Sequence, residues 1–66
     1  MKLLVNGEEA VVPDGLSVSG LLEHLAIRAP RVAVEVNLDV VKRDRHASHL
    51  LQEGDRVEIV SFVGGG

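Results

Sequence analysis

Two apolar runs, Leu3–Val5 and Ala10–Val12, flank the polar stretch Asn6–Glu9, which opens on Asn6-Gly7. Asn-Gly suits a two-residue type I′ turn, whose central residues both need positive φ. Pairing across that turn sets Leu3 opposite Ala10 and Val5 opposite Glu8. Leu3, Val5, Ala10 and Val12 then share the core face, while Lys2, Leu4, Glu9 and Val11 share the other. Pro13-Asp14-Gly15 supplies turn residues that end the second strand.

A helical period follows. Val18, Leu21, Leu22 and Leu25 recur at i, i+3, i+4 and i+7, the apolar stripe of a helix. Ser17 is the expected N-cap, and Leu16 and Leu21 stand at hydrophobic-staple spacing. Pro30 is the expected stop, because the residue before a proline resists helical backbone. Gly20 costs such a helix about 1 kcal/mol relative to alanine and allows close packing on a sheet. Strict alternation marks Arg31–Asn37, with Val32, Val34 and Val36 on one face and Ala33 and Glu35 on the other. Asn37-Leu38-Asp39 predicts a turn and Val40–Arg43 a short strand. Residues 44–55 predict irregular structure with one helical turn, closed at Gly54-Asp55. The last strand is expected over residues 56–63, with Val57 and Ile59 on one face and Glu58, Val60 and Phe62 on the other.

Hairpin, helix, strand, short strand, loop and last strand make an α+β domain. The helix stripe can cover the apolar face of a four- to five-stranded mixed sheet, one main helix packed on one face. That is the ubiquitin-like β-grasp arrangement, with the last strand beside the first and the chain leaving the sheet at its edge. Residues 1–63 are assigned to this domain and residues 64–66 to a flexible glycine tail.

Composition narrows the function. At 66 residues the chain holds one domain, and a domain this small buries only about 60% of the surface its unfolded form exposes. With 45% hydrophobic residues, nearly all aliphatic, disorder is excluded. The absence of cysteine excludes disulfides, thiolate metal sites and a cysteine nucleophile, so any sulfur chemistry must use sulfur brought from outside. It also fits a reducing, cytoplasmic location. The N-terminal apolar run is too short for a secretory signal, and no segment approaches the ~20 apolar residues that span a bilayer. A net charge of −3 gives no general attraction to nucleic acid or anionic membrane. A basic partner surface fits it better.

Few side chains offer chemistry of their own. His46 and His49 have the i, i+3 spacing of a helical metal pair, but no cysteine supports them, so they are taken as part of a solvated loop with no metal. His24 is expected at the surface. Lys42-Arg43-Asp44-Arg45 could steer an acidic partner or touch nucleic acid, and in a chain of net charge −3 it is taken as a solvated loop. Glu8 and Glu9 fall on opposite faces of a strand and make no acid–base pair. The glycine-rich end has no helix after it to form an anion site. The chain is therefore expected to be no enzyme. Leu4, Val11, Val60 and Phe62 share the sheet face opposite the helix and are expected to form an exposed apolar patch for a partner. The competing explanation is that a small domain leaves some apolar residues exposed.

The "VNG" hairpin, the "LSVSGLLEHL" helix, the "VAVEVN" strand, the "EGDRVEIV" return and the terminal "VGGG" together resemble the ubiquitin-like sulfur carriers, in particular the ThiS family of thiamine biosynthesis. The resemblance implies a reactive α-carboxylate at Gly66, with Gly64 and Gly65 recognised as the tail. It implies that a ThiF-type adenylyltransferase uses ATP to adenylate Gly66, that a sulfur donor protein converts the adenylate to a thiocarboxylate, and that a ThiG-type thiazole synthase takes the sulfur. No cofactor would be bound by the chain itself. Glycine suits a tail threaded into a narrow channel, because its backbone approaches closely without a Cβ. Ordering it costs about 1–2 kcal/mol per residue, which the partner's surface must offset. Two alternatives remain open: a carrier for another pathway (molybdopterin, cysteine or tRNA thiolation), and a ubiquitin-like protein modifier or binding module.

Overall fold

The computed structural model describes residues 1–29 and 31–62. Strand β1 (Lys2–Val5) and strand β2 (Glu8–Val11) form the first hairpin. Helix α1 covers Val18–His24, β3 Val32–Val36, β4 Asp39–Val41 and β5 Arg56–Ser61, with a 3-10 turn at Arg43–Arg45. The strands make one five-stranded sheet in the order β2-β1-β5-β3-β4. β1 and β5 run parallel, and the other neighbours are antiparallel. This is the β-grasp arrangement. β5 lies in the middle of the sheet, so the chain leaves from a central strand and not from the sheet's edge.

The hairpin forms as its pattern requires. Asn6 and Gly7 have φ of 50° and 83°, and the register pairs Leu3 with Ala10 and Val5 with Glu8. Leu3 and Val12 are buried. They join Val18 and Leu21 of α1, Val34 and Val36 of β3, Val41 of β4, Leu51, and Val57 and Ile59 of β5 in one core between sheet and helix. Leu16, Leu22 and Leu25 pack partly buried around it.

Helix α1 starts as expected and ends early. Ser17 is the N-cap, its hydroxyl accepting the Gly20 N–H at 3.0 Å. At the other end the Ala26 N–H donates to the Glu23 carbonyl and the Ile27 N–H to the Leu22 carbonyl. With Ala26 at φ 57° this is a Schellman cap. The helix therefore stops at His24, six residues before Pro30, which lies outside the described residues. The stop is made by Ala26 taking a left-handed conformation.

Two further expectations change. The short strand is Asp39–Val41; Lys42 already caps the 3-10 turn, and Arg43 belongs to it. His46 is no solvated loop residue. It is buried, and its Nε2 lies 3.0 Å from the Val41 carbonyl. A carbonyl can only accept, so Nε2 carries the proton. His49 is half-buried, and its carbonyl accepts the Val18 N–H. Among the described residues no three metal-ligating side chains come together, and no helix is long and apolar enough to cross a membrane.

At the opposite end of the core the Met1 ammonium meets Asp14 at 2.7 Å. That hydrogen bond, with the ammonium's charge, holds the exposed Asp14 carboxyl below its ordinary range. A depressed carboxyl contributes stability above its unfolded pKa and loses it as pH falls through the folded one. Full solvent exposure keeps this contribution small.

Candidate functional site at the end of the central strand

The candidate site is the sheet face opposite α1 and the end of β5 from which residues 63–66 continue. The tail positions Gly64, Gly65 and Gly66 lie outside the described residues, as does Val63, the last residue of the expected strand. β5 closes at Ser61. Phe62 follows it and still donates its N–H to the Arg31 carbonyl at 3.0 Å.

β3 accompanies β5 from Val57 to Ser61 on one side, while on the other side the partner changes along the strand. β1 accompanies its beginning, with Leu4 beside Arg56 and Val5 beside Val57. Then β1 turns away at Asn6. The Asn6 side chain takes over: its Oδ1 accepts the Ile59 N–H at 2.7 Å, and its Nδ2 donates to the Ile59 carbonyl at 3.1 Å. One side-chain amide thus mimics the next residue of a strand. On the β3 side the pairing continues past Ile59, with Val60 and Ser61 opposite Ala33 and Val32. The sequence shows Asn6 only as a turn residue, and no local pattern reveals this second task.

Asn37 anchors the start of β5 in a related way. Its N–H donates to the Arg56 carbonyl, its Oδ1 accepts the Arg56 N–H, and its Nδ2 donates to Asp55 Oδ1 at 3.0 Å. The other Asp55 oxygen accepts the Gln52 N–H. The start and the middle of β5 are thus tied down by side-chain amides from two turns.

The four apolar residues expected to form one patch do share the open face, but the register separates them. Val11 stands opposite Lys2, one end of β1, and Leu4 stands beside Arg56. Val60 is four residues further along β5 than Arg56, and Phe62 six. At ~3.3 Å per residue that places Val60 about 13 Å beyond Leu4 along the strands. Between them lie Arg56, Glu58 and Glu35, with Glu58 directly opposite Glu35. Leu4 is half-buried and Val11 78% exposed at the far end; Val60 and Phe62 are 53% and 54% exposed at the tail end. The face therefore carries two apolar ends and a polar middle. Only Val60 and Phe62 adjoin the tail.

The N-terminus of α1 offers no anion site. Its free N–H groups are already used: Val18 by the His49 carbonyl, Ser19 by the His46 carbonyl, Gly20 by the Ser17 hydroxyl and Leu21 by the Ser17 carbonyl.

Residues 2–66 match the family described as the ThiS family. The protein named sulfur carrier protein ThiS of Escherichia coli is 32% identical over 66 residues, all of this chain and all of that one. A crystal structure of the thiamine biosynthesis protein ThiS from Geobacter metallireducens superposes with a TM-score of 0.86 at 38% identity, covering 100% of both chains. Thiazole synthase of Paramagnetospirillum magneticum is 42% identical over the whole of this chain, which spans only 20% of that protein's length.

Proposed function

The chain belongs to the ThiS family, and from that premise we propose that it is a sulfur carrier protein for thiamine thiazole synthesis. The observation that carries this is the family match itself, which runs through the terminal glycines to residue 66. The chain is then a protein co-substrate and not a catalyst, working in the cytoplasm.

Chemistry explains the need for two steps. A carboxylate is a poor electrophile. A ThiF-type adenylyltransferase would transfer AMP from ATP to the Gly66 carboxylate and release pyrophosphate, leaving an acyl-adenylate. The terminal sulfur of a donor protein's persulfide would then attack the acyl carbon and displace AMP, leaving an acyl disulfide; a thiol would attack the donor-side sulfur, so that a new disulfide forms on the donor and the Gly66 thiocarboxylate leaves. A ThiG-type thiazole synthase takes that sulfur. Gly64 and Gly65 allow the last residues to lie in a channel too narrow for side chains. Val60 and Phe62, next along the chain, are the docking residues closest to the reacting carboxyl. Leu4 and Val11 belong to the far end of the same face.

Thiazole synthase as the recipient is supported by the long relatives. Two proteins of that name, from Paramagnetospirillum magneticum and Magnetococcus marinus, contain a segment matching all of this chain. Joining carrier and acceptor in one polypeptide raises their effective concentration without a new contact.

Intact mass spectrometry tests the proposal. Incubation with the adenylyltransferase, ATP and a sulfur donor is expected to add the mass of an oxygen-to-sulfur exchange. A variant lacking Gly66 is expected to stay unchanged. An unaltered wild-type mass, with the enzyme active on another carrier, would refute it.

A further inference from the structure

Asn6 and Gly7 make the turn between β1 and β2, both at positive φ. An asparagine amide before a glycine carries a reaction of its own. The Gly7 nitrogen can attack Asn6 Cγ, because glycine has no Cβ to hinder the approach. The fold leaves Gly7 uncrowded: a Cβ there would meet no atom within 4 Å. As the new C–N bond closes a five-membered imide, the Cγ–Nδ2 bond breaks, and ammonia leaves with the proton from the Gly7 nitrogen. Water then opens the imide at either carbonyl. One opening leaves aspartate in place of Asn6. The other leaves an isoaspartyl link, with the main chain running through the side-chain carbon. No electrons are exchanged, and water is the co-reactant.

In the folded chain that amide is already engaged. Its Oδ1 accepts the Ile59 N–H at 2.7 Å, and its Nδ2 donates to the Ile59 carbonyl at 3.1 Å. The Asn6 N–H donates to the Val57 carbonyl at 2.8 Å. We propose that Asn6-Gly7 is a spontaneous deamidation site that β5 keeps closed: opening of the strand at Ile59 admits the reaction, and the product prevents reclosure. The three bonds hold the main chain and side chain of Asn6 against β5, so turning Cγ onto the Gly7 nitrogen means breaking them. The product cannot restore them. A carboxylate only accepts. One of its oxygens can take the Ile59 N–H, but the other then faces the Ile59 carbonyl with no proton between them. The isoaspartyl form adds a backbone carbon to a two-residue turn whose length sets the hairpin register. β5 leads into residues 63–66, so the damage falls on the strand that bears the tail. Asn37 is the internal comparison. It also has positive φ and is bonded to Arg56 and Asp55, but Leu38 follows it, and a leucine side chain hinders the same attack.

The experiment ages the folded wild-type chain, and the same chain unfolded in guanidinium chloride, in one mildly alkaline buffer. Each conversion adds a negative charge to a net charge of −3, so anion exchange separates the product. Peptide mapping then locates it and distinguishes the two linkages. In the unfolded chain, conversion at Asn6 is expected to outrun conversion at Asn37 severalfold. In the folded chain, Asn6 is expected to convert about 10-fold or more slowly than when unfolded. That folded rate should rise together with hydrogen exchange of the Ile59 amide as denaturant is added below the unfolding transition. The converted chain is expected to lose about 10-fold or more of the protection at the Ile59 amide, and Asn6→Asp, made directly, to lose it too. Where Asn6→Asp does not fold, Asn6→Ala removes both side-chain bonds without adding charge and is expected to show the same loss. Equal rates at Asn6 and Asn37 in the unfolded chain overturn the modification site. Equal rates at Asn6 in the folded and unfolded chains overturn the protection by β5. Wild-type protection of Ile59 in the converted chain overturns the effect on the strand.

Discussion

Two turns of this chain have the same backbone and different residues. Asn6-Gly7 and Asn37-Leu38 both place two consecutive residues at positive φ, 50° and 83° in the first, 52° and 73° in the second. The first uses the pair that the type I′ turn favours. The second asks a leucine to take a left-handed conformation, which costs an L-residue roughly 1–2 kcal/mol. Leu38 is 82% exposed, so little packing offsets that cost. Leu38→Gly is therefore expected to stabilise the protein by about 0.5–1 kcal/mol, after the entropy that glycine adds to the unfolded chain. In a domain of this size the thermal midpoint should rise by a few degrees, about 2–6 °C. Calorimetry checks it, and a fall would show that Leu38 has a contact worth more than its strain. The contrast also explains what the sequence makes legible. Asn-Gly announces its turn, its type and hence the hairpin register. Asn-Leu announces a turn only, and Ala26 at φ 57° announces nothing. An alanine closing a Schellman cap looks like any helix residue, so Pro30 drew attention to the wrong boundary.

Helix α1 is seven residues long, too short to persist without its surroundings. Residues 46–51 supply them. The His46 and His49 carbonyls take two of its first-turn N–H groups, and the Leu51 N–H returns to the Leu16 carbonyl. The loop is in turn pinned to β4 by the His46 ring on the Val41 carbonyl. His46→Leu preserves apolar bulk and removes the donor. It removes the side-chain hydrogen bond to the Val41 carbonyl, which the β3 ladder still holds, a cost of about 0.5–1.5 kcal/mol. Urea unfolding should show that loss. Hydrogen exchange should show lost protection at Val18 and Ser19 before the sheet amides change, because the loop carries their acceptors. Global loss without this local signature would reduce His46 to a packing residue. None of this pairing is legible locally. Residues 44–55 have no period because their backbone bonds go to the helix start, and a histidine at i, i+3 from another looks like a ligand pair until burial is known. The helix stripe, the N-cap and the alternation of β3 and β5 are legible because the contacts that decide them repeat along the element.

At the scale of the molecule, the question is which part of the open face serves the tail. Face membership follows from alternation and was readable in advance. Position along the face did not follow, because the parallel pairing of β1 with β5 joins strands about fifty residues apart, and no turn sets its register. That pairing puts Leu4 beside Arg56 and leaves Val60 and Phe62 beyond the hairpin tip, with Glu35 and Glu58 in between. On the carrier function proposed above, an enzyme that takes up the tail would meet Val60 and Phe62, the exposed residues nearest it in sequence. Val11 lies on the sheet-edge strand β2, opposite Lys2 at the other end of the face. The two ends should therefore respond differently to the same insult. Val60→Asp is expected to raise KM for carrier adenylation about 10-fold or more, the range of a central interface residue. Phe62→Ala should act in the same direction without adding charge. Val11→Asp, at a more exposed valine, should stay within about twofold, as peripheral interface positions do. Circular dichroism and thermal midpoints establish that all three variants fold. Equal sensitivity at both ends would mean that the partner covers the whole face, polar middle included. Insensitivity at both would place the recognition on the tail alone and leave the exposed valines as the surface a small domain cannot hide.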